Sequence, residues 1–248
     1  MLHSSPRSQL PGVAAARVGA LAPPTDPFGP FDVVLFDLDG TLTDSAPGIL
    51  NGLHYALTGM DREVPDLDAM RAHLGPPLAD TFRMHFGMDD VEVARAIALY
   101  REHYHEVGLF ENDVYDGVPA LLSGLADTDT TLAVATSKPT YSATRILEHF
   151  SLAPYLTFIG GAELDGSRDG KAAVIAHTLA SLTELGHYSP GMRVIMIGDR
   201  EHDVLGAHSH GIDTIGVLWG YGTAEELTAA GAIDLAETPD DLLGLLTR

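Results

Sequence analysis

The chain has no cysteine among its 248 residues, which excludes disulfides and a thiolate nucleophile and removes any redox clue to compartment. Lysine is almost as scarce. Of 14 basic residues only Lys138 and Lys171 are lysines, the rest being arginines. Set against 35 acidic residues this leaves a formal charge of -21, a surface that repels a phosphate backbone, and a nucleic-acid partner is excluded. No apolar run approaches the roughly 20 residues that span a bilayer, so no membrane partner is expected. Residues 1–30 carry scattered Pro, Gly and Ala with Arg7 and Arg17 but no continuous apolar stretch. They read as a flexible tail and not as a secretory signal, and the cytoplasm is the expected compartment.

What is present is an ordinary globular composition, 45% hydrophobic, in a chain long enough for one large α/β domain or a core with an insertion. A strand is predicted at 32–37. From Pro47 to Gly108 the spacing is helical, as in Ile49, Leu50, Leu53 and Leu57 and again in Val93, Ile97, Tyr100 and Tyr104, the stripes of amphipathic helices. After Tyr115 short apolar runs alternate with longer helices, with strands expected at 131–135, 156–159, 193–197 and 213–217. Helices are expected at 140–150, 170–183 and 202–210. That alternation predicts an α/β fold: a parallel sheet flanked by helices, with the all-helical stretch inserted after the first strand.

The strands end in chemistry. Val33-Val34-Leu35-Phe36-Asp37-Leu38-Asp39-Gly40 brings two carboxylates one residue apart to the point where a strand breaks, and alternate side chains of a strand share a face. Thr136-Ser137 offers a hydroxyl and backbone N–H groups at a second strand end, a short uncharged cradle for phosphate oxygens. Lys171 opens a helix after Gly166-Ser167-Arg168-Asp169-Gly170; Asp165 and Ala172 stand where a Walker A loop needs Gly and Ser or Thr. Gly198-Asp199 ends a further apolar strand, with Asp203 four residues later, and hard carboxylate oxygens in such a place suit Mg²⁺. Charge favours a cation there, since two like unit charges about 4 Å apart repel by roughly 4 kcal/mol at an effective dielectric of about 20. Calcium in an EF-hand loop is excluded because Leu42 stands at the sixth position from Asp37.

In that order, Asp37-Leu-Asp39-Gly-Thr-Leu-Thr, Thr136-Ser, Lys171 and Gly198-Asp199-Arg-Glu-His-Asp203 resemble the four motifs of the haloacid dehalogenase superfamily. Ser45-Ala-Pro47, Tyr115-Asp-Gly-Val118 and Ala207-His-Ser-His-Gly211-Ile212 are similar to its phosphoglycolate-phosphatase-like branch. The resemblance implies a Rossmannoid core over 31–46 and 116–248 with a helical cap over 47–115. It implies Asp37 as nucleophile forming an aspartyl-phosphate, and Asp39 as general acid and base. Thr136, Ser137 and Lys171 would hold the phosphoryl group. Mg²⁺ would sit on Asp37, the Asp39 carbonyl and Asp199, with Asp203 behind them. The implied activity is Mg²⁺-dependent hydrolysis of a small phosphorylated metabolite, phosphoglycolate-like or nucleotide-like. Asp39 favours a phosphate ester over a carbon–halogen bond, and the absence of lysine from positions 44–116 excludes the branch that forms a Schiff base in its cap.

Lys171-Ala-Ala-Val174 departs from the Lys-Pro-x-Pro of many such phosphatases. With Ile146-Leu-Glu-His-Phe150, Asp165-Gly-Ser-Arg168 and Trp219-Gly-Tyr-Gly222 it is also similar to an actinobacterial protein tyrosine kinase of this fold. The alternatives are therefore a phosphotransferase acting on a protein or a sugar phosphate, and a binding module without turnover. Candidate substrate contacts are Gly75-Pro76-Pro77, Arg83 and Arg101 in the cap, with Trp219-Gly-Tyr-Gly222 at the entrance; His202, His208 and His210 read as surface or packing residues.

Overall fold

A computed structural model describes residues 30–248 apart from 72–73, 75–77, 164, 166 and 169. The expected tail, save Pro30, and the Gly75-Pro76-Pro77 turn lie outside the described residues.

From its N-terminal side the chain forms β1 (Val33–Phe36) and β2 (Thr43–Asp44), then α1 (Ala46–Gly59), α2 (Leu67–Met70), α3 (Leu78–Phe86) and α4 (Asp90–His103). A π-helical turn, Tyr104–Gly108, leads to β3 (Asp113–Val114) and α5 (Val118–Ala126). The remainder alternates: β4 (Thr131–Pro139), α6 (Thr140–His149), β5 (Phe158–Ala162), α7 (Lys171–Glu184), β6 (Val194–Gly198), α8 (Glu201–His208), β7 (Asp213–Val217), α9 (Ala224–Ala230), β8 (Asp234–Ala236) and α10 (Pro239–Leu246).

Six of the strands pair in parallel in the order β5-β4-β1-β6-β7-β8. Their apolar runs are continuous because both faces are covered. Val34 and Phe36 join the larger core with Leu122, Ile146 and Leu242, while Val33 and Leu35 meet Val174, Ile175 and Met196 on the other side. The chain moves outward through β4 and β5, then returns to β6 beside β1, so the strand order reverses at β1. Ligand crevices of open α/β sheets lie at the carboxyl edge of such a reversal. The register aligns that edge: Phe36 pairs with Val134 on one side and Ile197 on the other.

The parallel sheet and its alternation with helices are as the sequence predicts, but α5 and the elements past Val217 lie outside those expected, and three further details differ. β4 runs on to Pro139 where a strand of 131–135 was expected, because a bulge between Ala135 and Pro139 lets the chain rejoin β5. β5 begins at Phe158 because Ala153–Tyr155 forms a 3₁₀ turn at Pro154, where a proline fits the first turn. β2 and β3, which flank the helical stretch, pair antiparallel through Thr43 with Val114 and Asp44 with Asp113. Such two-residue strands leave no periodic signal. Among the described residues no helix is long and apolar enough to cross a membrane.

Candidate active site

Asp37 leaves β1 with its N–H bonded to Ile197 O at 2.9 Å, so β6 fixes its backbone. The chain then turns through Leu38–Thr43, where Gly40 has φ of 87° and donates its N–H to Thr43 O at 2.8 Å. A Cβ at Gly40 would lie 2.3 Å from Asp199 Oδ2, so both backbone conformation and the approach of Asp199 require glycine.

Lys171, the first residue of α7, is buried beneath this turn. Its Nζ lies 2.8 Å from Asp37 Oδ1 and 2.6 Å from Asp203 Oδ1, and donates to Ala135 O at 3.1 Å. Asp203, in the first turn of α8, accepts the Arg200 N–H at 3.1 Å through its other oxygen and so also caps the helix. Asp199 is fully buried; its carboxylate accepts from Thr41 Oγ1 at 3.2 Å and from the Tyr221 N–H at 2.8 Å.

Oxygens of Asp37, Asp199 and Asp203 lie within 4.8 Å of one another, the one group of this kind among the described residues. Of these three carboxylates, Lys171 contacts two, Asp37 and Asp203. Asp37 Oδ1 and Asp203 Oδ1 stand at ion-pair distance from Lys171, yet neither accepts a hydrogen bond of good geometry. Burial, and then Asp203 and Asp37, push Asp199 up to about 8. Burial also raises Asp37, against the pull of Lys171. Burial works against the charge on Lys171, but Asp203 and Asp37 outweigh it and hold the ammonium above its ordinary range. Three carboxylates crowded within 4.8 Å, with Asp37 and Asp199 held above their usual pKa by burial, fit a hard divalent cation such as Mg²⁺.

The carboxylate of Asp39 takes no part in that group. Lys138 Nζ contacts both of its oxygens, at 2.8 and 2.7 Å. Each of the two lysines therefore serves one aspartate of the Asp37/Asp39 pair. Thr136 is buried and its Oγ1 accepts the Lys138 N–H at 3.2 Å, while Ser137 is exposed.

Above these groups opens a cavity of about 690 Å³ whose floor includes Asp37, Asp39, Thr136, Ser137, Lys138 and Lys171. Its opposite wall comes from the helices: Ile49, Leu53, Leu78, Tyr100 and Tyr104, with Arg101 at hand. Tyr100 and Tyr104 stack at 5.1 Å between centroids. Arg83 does not line this cavity; it pairs with Asp80 and Asp90 on the surface. Arg200 reaches from the Asp199 loop to Leu74 O and to Glu226, joining the floor to the helical wall.

The sequence reading missed two arrangements. Trp219-Gly-Tyr-Gly222 does more than flank the entrance. It backs the acid group: Trp219 Nε1 donates to Thr41 O at 2.9 Å, and a Cβ on Gly220 would sit 2.3 Å from Gly40 O and 2.4 Å from Asp199 Cβ. Two glycines alternating with aromatics in Trp219-Gly220-Tyr221-Gly222, just past the last long strand, were the available signal. The second is Lys138, whose scarcity was visible but whose partner was not.

A model of the haloacid dehalogenase-like hydrolase family matches residues 34–217. A curated protein of Mycobacterium tuberculosis named tyrosine-protein kinase PtkA is 43% identical over 212 residues, 85% of this chain and 70% of that protein. A 5'-nucleotidase of Pseudomonas aeruginosa is 42% identical over 196 residues, 79% of this chain and 86% of the other. A crystal structure described as a predicted phosphatase from Clostridium acetobutylicum superposes with a TM-score of 0.78 at 43% identity, covering 87% of this chain and 98% of that one. The chain belongs to the haloacid dehalogenase-like hydrolase family and is an enzyme of its phosphoric monoester hydrolase group.

Proposed function

We propose that this member of the haloacid dehalogenase-like hydrolases is a Mg²⁺-dependent phosphatase of small phosphate monoesters, working through an aspartyl-phosphate on Asp37. The observation that carries the reading is the charge arrangement at the strand ends: a carboxylate nucleophile beside a buried lysine and two further buried acids, at the floor of a cavity. Asp37, Asp199 and the Asp39 carbonyl would hold the cation, with Asp203 fixing Lys171 beside them. When bound, Mg²⁺ supplies charge neutralisation for the phosphoryl oxygens and for the acids around them.

Asp37 attacks phosphorus as the bond to the leaving oxygen breaks, and Asp39 gives that oxygen its proton. Asp39 then takes a proton from the water that attacks the aspartyl-phosphate, releasing inorganic phosphate and restoring Asp37. Lys171 and the Thr136-Ser137 segment bind phosphoryl oxygens. Residues 47–115 act as a cap on a core made of 31–46 and 116–248, and the short β2–β3 ribbon where the chain crosses between them supports that division. The cap wall, apolar and aromatic with Arg101, selects the rest of the ester.

Similarity to a protein named a tyrosine kinase supports a second reading, in which the same Asp37 machinery passes the phosphoryl group to a protein hydroxyl. Phosphate release from phosphoglycolate, nucleoside monophosphates, sugar phosphates and phosphotyrosine, with Mg²⁺ or with EDTA, separates the two. Metal-dependent release is the expected result. No release from any ester, together with transfer from ATP to a protein, would favour the second reading.

A further inference from the structure

We infer that Lys138 is a positioning residue for Asp39, set by the bulge in β4 to hold the carboxylate where it meets the leaving oxygen of the ester. The inference rests on the acid–base role proposed for Asp39. Its geometry is independent of that role.

Along β4, Ala135 pairs with Gly160 but the next pairing joins Pro139 to Ala162, so four residues of one strand answer two of the other. A bulge of this kind interrupts the ladder and bends its strand, here just where Thr136, Ser137 and Lys138 leave the sheet. Thr136 is buried, Ser137 is exposed, and Lys138 turns inward with only 6% of its side chain exposed. The Lys138 N–H bonded to Thr136 Oγ1 closes the bulge on itself. The ammonium then spans both Asp39 oxygens almost equally, which fixes the rotation of the carboxylate as well as its position.

A second contact ties this pair to the helices. The ammonium lies 5.2 Å from the centre of the Tyr104 ring, an attractive cation–π arrangement. Tyr104 opens the π-helical turn, and Arg145 of α6 holds that turn by donating to His105 O at 3.3 Å. Lys138 thus sits at the seam between the strand ends and the helical wall. Asp39 is the more exposed partner, with 22% of its side chain open to the cavity, so the carboxylate faces the substrate and the lysine stays behind it. During leaving-group departure one Asp39 oxygen gives up its proton to the ester oxygen while the other keeps the Lys138 contact. Lys138 itself transfers no proton.

Misplacing a catalytic group by about 1 Å costs on the order of 10²-fold in rate. The cost falls on the step that needs the proton, and that dependence separates positioning from general structural damage. The test compares kcat/KM for p-nitrophenyl phosphate, whose leaving group departs without protonation, with that for an alkyl phosphate, whose leaving group does not. Wild type, Lys138→Met and Asp37→Asn are measured alongside thermal unfolding. Lys138→Met is expected to lose about 10² in kcat/KM on the alkyl ester and less than about tenfold on the aryl ester. Equal losses on both, or none, would overturn the role. If Lys138→Met does not fold, Lys138→Gln, which keeps an uncharged N–H donor group, must show the same selective loss in smaller measure. Turnover that survives in Asp37→Asn would overturn the proposed reaction. Turnover abolished in Asp37→Asn, with unselective losses in Lys138→Met, would overturn only the positioning role.

Discussion

The floor and the helical wall of the cavity are built on opposite terms. On the floor, acids and ammoniums are in contact and buried or half-buried: Lys171 with Asp37 and Asp203, Lys138 with the half-buried Asp39, and Asp199 beneath Gly220. In the helices the ion pairs are exposed, as between Arg83 and Asp80 or Asp90, and the surface turned to the cavity is leucine, isoleucine and stacked tyrosine. Burial decides what a charge is worth. An exposed pair contributes about 0–1 kcal/mol, whereas breaking a buried one costs about 3–5 kcal/mol because a desolvated charge is left alone. The difference teaches that the floor confines charge while the wall offers an apolar surface; under the proposed function the floor would meet the phosphoryl group and the wall the rest of the ester.

The largest departure from that contrast comes from removing a floor cation. Lys171→Met should destabilise the protein without added metal by about 3–5 kcal/mol, read by urea unfolding, and abolish measurable turnover. Little change in stability would mean that the contacts of Lys171 with Asp37 and Asp203 are not a buried ion pair. Next is Gly220→Ala, whose Cβ would collide with Gly40 O and Asp199 Cβ. A cost of about 1–3 kcal/mol is expected, with an Mg²⁺ titration shifted to higher concentration. An unchanged titration would separate the Trp219–Gly222 turn from the acid group.

A pH series sharpens the comparison further. Asp199, pushed up to about 8 by burial and then by Asp203 and Asp37, binds a proton in the folded protein that it releases near 3.8 when unfolded. Its contribution to stability is therefore full below about pH 4 and is lost as pH rises through about 8. Asp37, also raised, acts in the same direction. Tm in EDTA should fall between about pH 5 and about pH 8, and Mg²⁺ should restore most of the loss at the upper end, because it binds the ionised cluster. A Tm that climbs with pH in EDTA would contradict the assignment. The smallest effect belongs to the helices: Arg83→Ala should change stability by less than about 1 kcal/mol and leave kcat unaltered, checked by the same unfolding and rate measurements.

How much of this could be read in advance follows the same division. The acids ending β1 and β6 stood out because an apolar run followed at once by Asp is a local pattern, and Lys171 because Gly170 precedes a helical stripe. The partner of Lys138 was not legible, since it depends on a bulge that adds residues to one strand of a parallel pair 99 residues away from Asp39. The approach of Gly220 to Gly40 and Asp199 was equally hidden, because a glycine in sequence does not say which backbone comes close. Past Val217 the chain forms α9, β8 and α10, which the reading did not anticipate. Their short elements carry caps, such as Thr223 accepting from the Glu226 N–H and Thr238 from the Asp241 N–H, but too few turns for a period to emerge.

The most direct test of the central claim is to stop the reaction in acid during turnover of a labile aryl phosphate with Mg²⁺ and weigh the peptides. Wild type should carry one phosphoryl group on the peptide containing Asp37, and Asp37→Asn, folded but inactive, should carry none. Undiminished phosphate release by Asp37→Asn, with no adduct on the wild-type peptide, would contradict the account.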